Sequence, residues 1–187
     1  MTLDLNSNYQ LENSCYGDHS IIIYDDLYTL REVYCRSAKK ALEKNNEIML
    51  IVTTYETPNT VREMLGEYEV DVKKYESHGS LVIIDSVQAY QVVTFYGVLR
   101  LIQLLANRAQ KDGKDGIFSL ADMGSFFLFD REKELVNYEV SIPKTVDIRL
   151  KGFCCYHKND FSFKLTKDQQ VQLINHHLKA INSSIFY

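Results

Sequence analysis

Short aliphatic runs alternate along this chain with longer segments of helical periodicity, and this alternation restricts the fold more than any other feature. The runs are almost continuously apolar, which is typical of strands buried on both faces of a parallel sheet. A repeated strand–helix order predicts parallel strands joined by helices that cover both faces. We therefore predict an α/β fold, a three-layer α/β/α sandwich with a mainly parallel central sheet. The predicted strands are His19–Tyr24, Ile48–Val52, Leu81–Ile84, Ile117–Ala121 and Asp147–Tyr156.

The segments between these strands begin with residues that cap helices. Side-chain oxygens of Asp and Thr accept hydrogen bonds from the free N–H groups of a first helical turn. The predicted caps are Asp25 or Asp26, Thr57 before Pro58, Asp130, and Thr166 in a capping box with Gln169. A further helix is predicted over about Gln91–Ala109. The pattern leaves Phe161–Leu165 open between a short edge strand and a packed loop.

Length and charge limit the classes of function. With 187 residues and 45% hydrophobic residues, the chain predicts one domain over residues 15–182, between a polar arm (1–14) and an apolar tail (183–187). A net charge of −4 and scattered basic residues disfavour direct nucleic-acid binding. No apolar run is long enough for a membrane span, and the first residues lack the basic and apolar parts of an export signal. We therefore expect a cytoplasmic location.

The cysteines and histidines do not show the spacing of a short metal-binding motif. Cys154 and Cys155 are adjacent within an apolar run, where thiols usually act as small hydrophobic residues. His19 begins the first strand, which favours a capping or surface position. His176 and His177 point about 100° apart on a helix, so they cannot both face one ion. From these patterns we predict no metal site and no cofactor.

Function in a parallel sheet is expected at the carboxyl ends of the strands, where ligands bind in the crevice beyond the sheet. Carboxylates and aromatic residues predominate at these positions. Such acids can contact a ligand, coordinate magnesium, act as a general base or cap a helix, and the pattern leaves these roles open. The candidate ligand-binding residues are Tyr24, Asp25, Tyr55, Glu56, Asp122, Tyr156 and His157.

A phosphate-binding loop is missing from the sequence. Such a loop needs glycines whose N–H groups converge on the phosphates, together with a lysine and a Ser or Thr. The turn after the first strand, Tyr24–Tyr28, is acidic and has no glycine. Gly113-Lys114 is followed by Asp115 and precedes a strand. Nucleotide binding of the phosphate-loop kind is therefore excluded.

Several motifs together resemble the MEDS domain, the sensory domain of DcmR-type regulators of methylotrophs and methanogens, itself similar to RecA and KaiC-like ATPase cores. Asp122-Met123 falls where that family usually has Glu-Met, and His176-His177 resembles its helix histidine. The other matching segments are His19–Leu27, Ile51–Leu65, Val70–Gly79, Leu81–Asp85 and Phe153–Tyr156. Their order agrees with the family over about residues 14–178.

The resemblance implies a RecA-like fold without its phosphate loop, used to sense a small organic molecule. It implies a non-catalytic domain that acts through a protein partner or by self-association, as a monomer or homodimer. Two alternatives stay open. One is a degenerate ATPase or magnesium-dependent hydrolase using Glu56 and Asp122, and the other is a pure protein-interaction scaffold.

Overall fold

Six parallel strands form the central sheet in the part of the chain that the structure, a computed structural model, describes, namely residues 10–92 and 95–183. The strand order is β3-β2-β4-β5-β1-β6, which differs from the orders of the Rossmann and flavodoxin-like folds. The strands are β1 (His19–Tyr24), β2 (Ile48–Thr53), β3 (Leu81–Asp85), β4 (Ile117–Asp122), β5 (Leu150–His157) and β6 (Ala180–Ser183).

Helices follow every strand from β1 to β5, as the alternation predicts. They are α1 (Leu27–Glu43), α2 (Pro58–Glu67), α3 (Val72–Ser77), α4 (Ser86–Val92), α5 (Phe95–Lys111), α6 (Gly124–Leu128), α7 (Glu132–Ser141), α8 (Lys158–Phe163) and α9 (Lys167–His176). No helix among the described residues is both long enough and apolar enough to pass through a bilayer.

The two faces of the sheet carry separate apolar cores, because successive side chains of a strand point to opposite sides. The first face packs against α1, α2 and α3 and buries Ile22, Met49 and Ile51. The second face packs against α5 to α9 and buries alternate strand residues such as Ile21 and Leu50. The predicted three-layer α/β/α sandwich is confirmed.

Most of the predicted caps are confirmed. The Asp26 carboxylate accepts the Thr29 N–H at 2.8 Å and begins α1. Thr57 caps α2, and Thr166 forms the capping box of α9. The Asp130 cap is wrong, because Asp130 has a left-handed backbone (φ 53°) and α7 begins after Arg131.

Other differences arise where tertiary contacts override local pattern. β6 pairs with β1 and was not expected. Phe161 lies in helix α8, so neither the edge strand nor the loop expected for Phe161–Leu165 is correct. The single helix expected over Gln91–Ala109 is described as α4 and α5. β5 begins at Leu150 and not at Asp147.

The two ends of the chain are described unequally. Leu11, within the arm predicted as polar, is 6% exposed and belongs to the core of the first face. The predicted apolar tail lies outside the described residues, apart from the backbone of Ser183 at the end of β6.

Candidate functional site

The strand order places a crevice between the carboxyl ends of β2 and β4. After β2 the chain turns to helices α2 and α3 on the first face, whereas after β4 it turns to α6 and α7 on the second face. A crevice opens where neighbouring strands send the chain to opposite sides. We call this region, at Tyr24, Thr53, Asp122 and His157, the carboxyl edge.

Asp122 lies at the centre of the carboxyl edge. Its carboxylate accepts the Gly124 N–H at 2.9 Å, and the Tyr24 hydroxyl donates to the other oxygen at 3.3 Å. Burial raises the pKa of Asp122 to about 7, although the hydrogen bonds from Gly124 and Tyr24 oppose that shift. Asp122 can therefore accept or donate a proton near neutral pH.

Three aromatic rings lie together at the carboxyl edge, and one of them, Tyr24, contacts this carboxylate. The ring of His157 lies 5.4 Å from that of Tyr24 and 6.3 Å from that of Tyr55, both edge to face. Tyr55 donates its hydroxyl to Asp160 in α8. Its ring packs on Gly124 so closely that a Cβ atom there would overlap it. Residue 124 therefore has to be glycine for the Tyr55 hydroxyl to reach Asp160.

Glu56 is fully engaged within the protein. Arg31 contacts its Oε1 through Nε at 2.7 Å and through Nη2 at 2.5 Å. Tyr34 donates its hydroxyl to Oε2 at 3.2 Å. The Glu56 side chain is 4% exposed, so this carboxylate is paired and largely shielded from solvent.

Two other candidates lie apart from Asp122. Asp25 is half-buried and accepts a 2.8 Å hydrogen bond from Lys158 at the surface. Tyr156 points to the second face and donates its hydroxyl to Glu139, so its side chain does not join the other candidates at the carboxyl edge.

A small cavity of about 10 Å³ lies under the carboxyl edge. Its wall is largely apolar, with Tyr34, Thr53 and Asp122 as polar residues, and this volume holds about one water molecule. A larger cavity of about 660 Å³ lies toward the amino ends of the strands, over Phe118 and Lys151. Its polar lining includes Lys39, which is paired with Glu69 at 2.9 Å.

A second group of polar residues converges inside the second face, where no site was expected. We call it the His/Glu/Cys cluster: His19 from β1, Glu139 from α7, Cys154 from β5, and His177 just after α9. Each is at most 7% exposed, and one ligand atom from each lies within 4.8 Å of the others. The capping or surface position expected for His19 is wrong.

The hydrogen bonds around this cluster orient its side chains. His177 Nδ1 lies 2.7 Å from the Leu173 carbonyl oxygen, so it carries the proton and leaves Nε2 facing the cluster. Burial alone would raise the pKa of Glu139, but His177 and His19 outweigh burial and hold that pKa below its usual range. Burial, with Glu139 nearby, raises the pKa of the Cys154 thiol well above its usual value.

These observations define an α/β protein of the three-layer parallel class, with a polar crevice at the carboxyl edge and a buried His/Glu/Cys cluster on the second face. The family model of the MEDS domain, described as "MEthanogen/methylotroph, DcmR Sensory domain", matches residues 18–177. The chain therefore belongs to the MEDS family, which indicates a role in sensing or signalling. Comparison with curated proteins finds no match.

Proposed function

We propose that this chain is a non-catalytic sensory module that binds a small organic molecule at the carboxyl edge, over Tyr24, Asp122 and His157. The observation that carries the proposal is the meeting of a buried, titratable carboxyl group with hydroxyl and imidazole groups above an apolar floor. Ligand sites in proteins typically combine an apolar wall with a few convergent polar groups.

The ligand class follows from what occupies the start of α1. In nucleotide-binding folds of this class, phosphate sits at the N-terminus of the helix after the first strand. Here the Asp26 carboxylate accepts the Thr29 N–H and hydroxyl, so an anion already occupies that position. A triphosphate would meet like charge, whereas an uncharged or cationic organic molecule would not.

The engagement of Glu56 favours sensing over hydrolysis. A general base or magnesium ligand needs a free carboxylate oxygen directed at the substrate. Arg31 and Tyr34 bind both oxygens of Glu56. The magnesium-dependent hydrolase is therefore the weaker alternative.

Signal output would start at Tyr55. The enclosed space holds about one water molecule, so a ligand of several heavy atoms must move a side chain that covers the crevice. We infer that Tyr55 is that side chain, since its ring packs on Gly124, two residues after Asp122, and lies 6.3 Å from the ring of His157. Its movement breaks the hydrogen bond to Asp160 and releases α8, which carries the 84% exposed Phe163 toward a partner or a second copy.

Thermal-shift and calorimetric titration of the full chain against small alcohols, amines, amides and carboxylic acids tests the proposal, with ATP–Mg²⁺ as the counter-screen. We expect a small organic compound to raise Tm and ATP to leave it unchanged. Tyr24→Phe and Asp122→Asn should weaken binding, whereas Tyr75→Phe, on α3 away from the crevice, should not. ATP binding with turnover, or no response to any compound class, would overturn the proposal.

Light scattering with and without the active compound tests the output. We expect a monomer or homodimer whose equilibrium shifts when the compound binds. A protein that binds no compound but still self-associates through its helices would favour the scaffold alternative.

A further inference from the structure

We propose that His19, Glu139, Cys154 and His177 form a binding site for a divalent transition metal ion, with Zn²⁺ as the ion that best suits the ligand set. This site lies inside the second face, apart from the carboxyl edge, and it is inferred without reference to the ligand proposed there. Imidazole, thiolate and carboxylate are the protein ligands that zinc takes, in tetrahedral sets of four.

Four of the six distances between the ligand atoms match the edges of a tetrahedron, and the other two are at most 4.8 Å. Bonds of about 2.0–2.3 Å from zinc to nitrogen, oxygen and sulfur give ligand–ligand edges of about 3.3–3.6 Å. Glu139 Oε2 lies 3.4 Å from His19 Nε2, 3.4 Å from His177 Nε2 and 3.5 Å from Cys154 Sγ. The His19 Nε2 to Cys154 Sγ distance is 3.4 Å. Four edges therefore have the length that a bound ion requires.

Hydrogen bonding alone does not account for the arrangement. His177 Nε2 is buried and has no hydrogen-bond partner, although it lies 3.4 Å from a carboxylate oxygen. Its Nδ1–H already donates to the Leu173 carbonyl, so in the neutral imidazole, the form that binds metal, Nε2 presents a lone pair toward Glu139. Two electron-rich atoms facing each other in a buried space repel, and a cation between them turns that repulsion into coordination.

Charge balance leads to the same conclusion. The four residues are 5%, 0%, 7% and 4% exposed in the order His19, Glu139, Cys154 and His177, and a net charge is costly at such depth. One divalent ion with one carboxylate, one thiolate and two neutral imidazoles is electrically neutral. Metal coordination deprotonates a thiol outright, so the raised pKa of free Cys154 does not prevent ligation.

Neighbouring groups hold the ligands in place. Tyr156 donates its hydroxyl to Glu139 Oε1, which leaves Oε2 facing the cluster. The Leu173 carbonyl fixes the tautomer and the orientation of the His177 ring. Such outer-shell partners are a regular feature of protein metal sites. Four protein ligands in a buried position make a closed site, which is typical of structural zinc.

Metal analysis of the full chain, purified without an immobilised-metal column, tests the inference. We expect about one zinc ion per chain, as a closed four-ligand site takes. After removal by a chelator, Co²⁺ should produce tetrahedral visible bands and a thiolate-to-cobalt charge-transfer band in the near ultraviolet. A wild-type protein that takes up neither Zn²⁺ nor Co²⁺ in stoichiometric amount would overturn the inference.

Two adjacent pairs supply matched variants. Cys154→Ala should remove the charge-transfer band, whereas Cys155→Ala, on the same strand but facing the other core, should retain it. His177→Gln should lower the affinity for Co²⁺ at least tenfold, whereas His176→Gln, whose ring contacts the Ile142 carbonyl, should not. If Cys154→Ala does not fold, the wild-type cobalt spectrum decides, because a spectrum without thiolate ligation excludes this site.

Discussion

The stability of this protein should fall as the pH rises toward neutral, because the folded state holds a proton on Asp122 that the unfolded state has released. Burial raises the pKa of Asp122 from 3.8 to about 7 in the folded chain. The folded state therefore retains this proton between about pH 4 and pH 7, where the unfolded state has released it. The stabilisation is fully present below the unfolded pKa of about 4 and is lost as the pH rises from there through the folded pKa of about 7.

The magnitude follows from the difference in proton binding. A shift of about three pKa units corresponds to about 4 kcal/mol over the whole range. Between pH 5 and pH 8 the same two pKa values give a loss of about 2.5 kcal/mol in the free energy of unfolding. Asp122→Asn removes this contribution, and the amide still accepts the Gly124 N–H and can donate to the Tyr24 hydroxyl oxygen.

Urea unfolding of wild type and Asp122→Asn at pH 5 and pH 8 measures the effect. The wild type should lose about 2.5 kcal/mol relative to the variant over this interval. Effects of other titrating groups, and of bound metal, cancel in the difference. Asp25→Asn, which removes a half-buried carboxylate paired with Lys158, is the control. A wild-type-minus-variant difference that does not change with pH would refute the reasoning.

Two further substitutions test packing and charge at the same edge. Gly124→Ala should destabilise by about 1–3 kcal/mol, because its Cβ would overlap Tyr55. Gly66 lies in α2 with open space around it, so Gly66→Ala should stabilise the protein by about 0.5–1 kcal/mol. Equal changes in the free energy of unfolding for the two variants, measured in urea, would contradict the overlap at Gly124. Arg31→Met should cost about 1–3 kcal/mol by leaving Glu56 buried without its cation, and adding Glu56→Gln should recover part of that loss. A double variant no more stable than Arg31→Met alone would show that the ion pair is not the cause.

The strands β1 to β5 are predictable because each is a short run of mostly apolar residues that can be recognised without knowing the rest of the fold. Runs such as Ile48–Thr53 are apolar throughout, and this strand is buried along its whole length. Thr57 before Pro58 marks a helix start through hydrogen bonds within one turn. β6 escapes prediction because Ala180–Ser183 is short, and its pairing with β1 depends on the completed sheet.

The carboxyl edge is predicted less completely than the sheet. Strand ends identify Tyr24, Asp122 and His157, which the structure brings together. The strand-end rule also selects Tyr156, but its side chain points to the second face with that of Cys154. Counting alternate residues from Cys155, which belongs to the first-face core, would have separated Tyr156 from His157.

The His/Glu/Cys cluster is invisible to motif reasoning because its ligands are distant in sequence. His19 and Cys154 are 135 positions apart and meet because β1 pairs with β5. Glu139 arrives from the middle of α7, and His177 from the end of α9, since both helices cover the second face. Only the strand order, which local pattern does not supply, could have indicated this convergence.

Strand β5 connects the two sites, since successive residues of a strand point to opposite faces. Cys154 belongs to the His/Glu/Cys cluster and Tyr156 donates its hydroxyl to Glu139 there, while Cys155 and His157 line or flank the crevice at the carboxyl edge. A metal ion that fixes Cys154 also fixes the backbone that carries His157, three residues along the strand. Removing the metal should therefore weaken ligand binding at the carboxyl edge. Equal ligand affinity in the metal-free and metal-bound protein would show instead that the two sites act independently.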